Sequence, residues 1–150
     1  MTLKISLLFL LLDLLFGSPS CGKAVHYSPT WGTWTCPREQ KCGIAARNGV
    51  TVPKGVWPVA TPLCRDLGRR GYLSISNAHP EEIVVADCAD PADLEVIRSR
   101  GIVVEVPYLV AERHGFVGDG WARASLWLLP APASRHRGGC TAKIGAKVLR

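Results

Sequence analysis

The sequence predicts a mostly β, disulfide-containing domain with two short helices. Three observations carry this. Runs of five to eight residues rich in Val, Ile, Leu and Tyr are closed by Gly, Pro or Asn; two stretches carry helix punctuation; and six cysteines are spread over 150 residues.

The opening segment, residues 1–20, has Lys4 near its start, an apolar run from Ile5 to Phe16 and small residues before Cys21. That is the layout of a secretory signal peptide, and it is expected to be removed from a secreted or periplasmic, envelope-located protein. The run is shorter than the roughly 20 residues a bilayer span requires, and Asp13 interrupts it, so no stable membrane span is expected. Cys21 has a second reading as the lipid-bearing first cysteine of a lipoprotein.

Residues 21–62 are rich in Gly, Pro, Ser and Thr, with Trp31, Trp34 and Trp57 among them, and read as short strands joined by long loops in which Cys36 and Cys42 form a staple. Strands follow at Tyr72–Ser76, Ile83–Cys88, Ile102–Val106 and Ala122–Leu129. Between them, Pro91–Arg100 reads as a helix with Asp90 as N-cap and Pro91 at its first position, and Pro107–His114 as a second helix ending at Gly115.

In an exported chain an even number of cysteines argues for disulfides, and six allow fifteen pairings. No C-x-x-C spacing occurs and the four histidines are scattered, so no metal site is expected. The net charge of +6 is unevenly placed. Residues 21–129 carry 12 Lys and Arg against 11 Asp and Glu, whereas residues 130–150 carry Arg135, Arg137, Lys143, Lys147 and Arg150 and no acid. The body is nearly neutral. The basic tail reads as a flexible solvated end or as a patch drawn to anionic polymers. No nucleic-acid module is recognisable, and no nucleic-acid partner is expected.

In order, the segments LCRDLGRRGYLSISN, IVVADCADP, GIVVEVPYLVAERHGF and GDGWARASLWLL resemble the rare lipoprotein A family and, more distantly, expansins and barwin-like proteins. The likeness spans about Val59 to Leu129, and GKAVHYSPTW from Gly22 is similar to the family's opening G-x-A-x-x-Y strand. It implies a small six-stranded double-psi β-barrel over residues 21–129. The chain departs from the family at three places. Cys88, Ala89, Asp90 and Pro91 replace an Asn-Asp-Arg-Gly-Pro run; Val104 to Pro107 replace Ile-Asp-Leu-Ser; and Val59 to Pro62 lack a His.

In the family's catalytic members an Asp after the valine strand is implied as the acid/base that cleaves peptidoglycan glycan strands. Ungapped alignment puts that position at Ala89, which leaves Asp87 or Asp90, and period-two alternation favours Asp87. A second carboxylate falls on Glu105. An acid with a raised pKa protonates the glycosidic oxygen; if water attacks, a second carboxylate is needed, and if the sugar's own 6-hydroxyl attacks, as in a lytic transglycosylase, one acid/base suffices. Each acid also has a structural reading. Asp90 is a helix cap, Asp87 a buried acid held by backbone N–H groups, and Glu105 a solvent-facing strand residue.

Trp31 and Trp34 are the leading sugar platforms, with His26 and Tyr27 lining the same groove, while Trp127 within LWLL reads as core. The expected function is an exported, bacterial, monomeric cell-wall protein that binds and cleaves peptidoglycan glycan strands, with no cofactor. Its rivals are a non-catalytic, expansin-like or barwin-like polysaccharide-binding protein and a secreted effector or inhibitor that binds a protein.

Overall fold

In the computed structural model, residues 2–27, 45 and 47–130 are described, with side chains from Leu7 onward. Six strands, β1 (Ser20–His26), β2 (Trp57–Thr61), β3 (Arg70–Ile75), β4 (Glu81–Cys88), β5 (Ile102–Val106) and β6 (Trp121–Leu128), close into a barrel in the order β1-β5-β2-β4-β3-β6. Two pairs, β1 with β5 and β2 with β4, run parallel; the other contacts are antiparallel. This is the double-psi arrangement.

Alternation decides which side chains fill it. Ala24, Val59, Leu73, Ile75, Ile83, Val85, Val104, Val106, Ala122, Ala124 and Leu126 are buried in one cluster, so alternate residues of every strand point inward. The remaining strand residues face out. A second, smaller cluster lies on the outer face of β4, where Ala45, Val50 and Val56 cover Val84 and Ala86.

Strand β2 is the element the turn and propensity signals left unresolved, because Pro58 sits in its middle. Pro58 is tolerated because the ladder pairing of β2 with β5 is at Ala60, so little backbone bonding is demanded of Pro58 on that side. Strand β3 ends where Ser76 and Asn77 take positive φ values of 51° and 61°, a turn conformation that stops pairing.

Helices α2 (Leu94–Ser99) and α3 (Tyr108–Arg113) follow β4 and β5. The expected cap at Asp90 is corrected here. Residues 91–93 form a turn, the helix starts three residues later than Pro91, and its N-cap, Asp93, makes no side-chain capping bond. The backbone explains the delay, since Asp93 N–H donates to the Asp90 carbonyl and closes a turn before any helical ladder begins. Helix α3 is tied to the barrel through Glu81, which accepts from Trp57 Nε1 at 2.6 Å and pairs with Arg113 and His114 at 3.4 and 3.3 Å. Arg113 also lies over the Trp57 ring, so Trp57 is occupied as a structural residue.

Residues Thr2–Phe16 form helix α1, which packs on the outer face of β6: Phe9 meets the Trp127 ring and Trp127 Nε1 donates to Asp13 at 2.8 Å. Trp127 is buried, beneath this helix and outside the barrel interior. Among the described residues no helix is long and apolar enough to cross a membrane. The Cys36–Cys42 staple and the basic tail from residue 131 onward lie outside the described residues.

Candidate functional site

The site is built by a single irregularity in β4. Strand β2 pairs with β4 as Val59↔Val85 and then Ala60↔Asp87, so Ala86 is an extra residue bulged out of the ladder. Val85 points into the barrel, and simple alternation would aim Asp87 inward too. The bulge resets the alternation, placing Asp87 in the same row as the outward Ala60.

On the other side of Ala60 the antiparallel partner is Glu105, which alternates with the inward Val104 and Val106. Asp87 and Glu105 therefore flank one small residue on one outer surface. Their backbones are two strand steps apart, roughly 10 Å. Both are half-buried. The structure thus brings together the two acids that the sequence singled out first.

Asp87 is held from two directions. Tyr27 Oη donates to its Oδ2 at 3.3 Å, and Asn48 Nδ2 donates to its Oδ1 at 3.1 Å while also bonding the carbonyl of the bulged Ala86 at 2.9 Å. A disulfide from Cys88 to Cys64, with Cα atoms 4.9 Å apart, anchors the strand one residue further on. Tyr27 leaves β1 through a bond from its N–H to the Val106 carbonyl, and its side chain packs against the outer cluster.

The electrostatics follow from this crowding. Burial, and then the negative charge of Asp87, push the Glu105 carboxyl up from 4.5 to about 7, partly offset by His26. Burial, with the charges of Glu105 and Asp87, holds the Tyr27 phenol far above its ordinary range, so it remains a donor. His26 points toward the barrel end, its ring against Tyr108 and Phe116 and its Nδ1 at 2.9 Å from the Tyr27 carbonyl.

Asp90 does not join this group. It stands exposed in the turn before α2. Trp31 and Trp34 lie outside the described residues. Asn48 was missed by sequence reasoning: next to Gly49, whose φ is +70°, it carries only the signal of an Asn-Gly turn. Among the described residues no group of three or more His, Cys, Asp or Glu is placed to hold a metal.

Fold and site together define a double-psi β-barrel with a paired-carboxylate surface set across β4, β2 and β5. No protein-family model and no curated protein matches the sequence. Among solved structures, the chain is similar to apo expansin from Clavibacter michiganensis, at 15% identity and a TM-score of 0.49, over 77% of this chain and 52% of that one. This chain spans about half of that expansin's length.

Proposed function

We propose that this is an exported cell-wall protein that binds peptidoglycan glycan strands and cleaves them by acid/base chemistry. The observation that carries the reading is Glu105, an acid whose carboxyl is raised to about 7 beside a second carboxylate. A group poised there holds a proton to give at neutral pH and accepts one back with little cost.

Glu105 protonates the glycosidic oxygen as the bond breaks. Asp87, with Tyr27 and Asn48 donating to its two oxygens, is the charged partner that favours the protonated form of Glu105 and faces the developing positive charge on the sugar. Water or the sugar's own hydroxyl is the attacking group, and Glu105, having given its proton to the leaving oxygen, takes the one that the attacker releases. Residues 1–20 serve as the export signal.

Mass spectrometry of the products released from intact and stem-peptide-free peptidoglycan tests this. Anhydro-sugar or reducing-end fragments are expected from the unaltered chain and not from Glu105→Gln, which retains binding. Saturable binding without any release would overturn the cleavage reading and assign the surface to polysaccharide binding alone.

A further inference from the structure

The row that holds the two acids does not stop at them. Glu105 is paired on its other side with Val25, and Val25 is paired with Trp121. One line of outward residues, Trp121, Val25, Glu105, Ala60 and Asp87, therefore crosses β6, β1, β5, β2 and β4 in register. Strands of a closed barrel are tilted, so a line drawn perpendicular to them climbs along the barrel and curves gently.

Trp121 is unlike the other tryptophans with described side chains. Trp57 is engaged by Glu81 and Arg113 and Trp127 lies outside this row, on the stretch of β6 paired with β3, whereas Trp121 stands in the row and is 47% exposed. Its orientation is restrained, since Lys23 Nζ sits 4.7 Å from the ring centroid. Val25 separates the ring from Glu105, and Ala60 separates the two acids, so the positions between them are apolar.

We propose that Trp121 is a sugar-stacking subsite at one end of a linear binding track, and that its occupant is an extended, β-linked polysaccharide lying across the strands along this row. The proposal rests on the polysaccharide reading of the acid pair. A sugar ring presents an apolar face that stacks on an indole, and a β-linked pyranose advances by about one strand spacing per unit. From Trp121 to Asp87 is four strand steps, roughly 19 Å, and so about four sugars. Trp121 lies two steps from Glu105, which places it about two units from the bond being broken.

The test is affinity against chain length, measured by calorimetry with chitin oligosaccharides of two to six units, solubilised glycan strands, and amylose as an α-linked, helical control. With the unaltered chain, affinity is expected to rise up to about four units and amylose to bind poorly. Trp121→Ala is expected to lose about tenfold for the longer oligomers and little for the dimer. Lys23→Ala is expected to lose about threefold by freeing the ring. Because Trp121 is exposed, an unchanged melting temperature serves as the folding control. Equal binding by Trp121→Ala and the unaltered chain would overturn the subsite while leaving the acid pair's reading intact. No binding of any of these glycans by the unaltered chain would overturn both.

Discussion

Asp87 and Glu105 are joined through Ala60, which is the partner of one across a parallel strand boundary and of the other across an antiparallel one. Two acids 18 positions apart in the chain thus share a surface and each other's field. Burial, and then the charge of Asp87, hold the proton on Glu105.

That sharing sets a pH dependence. With a folded value of about 7 against 4.5 unfolded, the native state holds a proton on Glu105 that the unfolded chain has already lost. Stability from this group therefore falls as pH rises from about 4.5 to about 7. Melting temperatures of the unaltered chain and Glu105→Gln across that window are expected to diverge, with the Gln variant gaining relative stability toward neutral pH. Any glycan cleavage is expected to decline above about pH 7, as the acid form is depleted.

Tyr27→Phe keeps the ring and removes the donor to Asp87. A loss of about 1 kcal/mol is expected, measured by urea denaturation, because the carboxylate keeps its bond from Asn48 and has access to water. In spectrophotometric alkaline titration of the folded protein, removing Tyr27 should leave the tyrosinate signal unchanged, since burial and the two acids hold its phenol protonated.

Reducing or replacing the Cys64–Cys88 bond removes a crosslink across 24 positions. A destabilisation of about 3 kcal/mol is expected, with unfolding followed by fluorescence in the presence and absence of reductant. The bond also ties β4 to the one turn of 3-10 helix at Cys64–Asp66, so hydrogen exchange in residues 85–89 should accelerate more than in β6.

Gly71→Ala tests the barrel itself. A Cβ there would run into the carbonyl oxygen of Trp127, which is backbone and cannot swing aside. A cost of about 3 kcal/mol is expected in thermal melts, against a near-neutral effect of Ala at the open, exposed Gly118.

Much of the barrel was legible because its strands announce themselves. YLSIS, IVVADC, IVVEV and ARASLWLL are bounded by turn residues, and the observed strands match them to within two positions at either end. Both helices were legible by their Gly stops, although the Asp90 cap was not realised. What the sequence concealed was whatever depends on pairing. Strand β2 hid behind Pro58, and Asn48 had no local signature of a contact 39 positions away. Trp121 looked like any aromatic until the register placed it in line with Glu105. Asp87 was favoured by alternation from Ala89, whereas its outward direction arises from the Ala86 bulge, a feature that no periodicity argument reveals.

The bulge has an evolutionary corollary. Loss of the single codon for Ala86 would join Val85 directly to Asp87, restore an unbroken ladder and leave Asp87 opposite Ala60, still facing out. What such a deletion removes is the carbonyl that Asn48 holds and the alanine beneath the outer cluster. Among descendants of this chain, strand length at this point should therefore vary more freely than the acid that follows it.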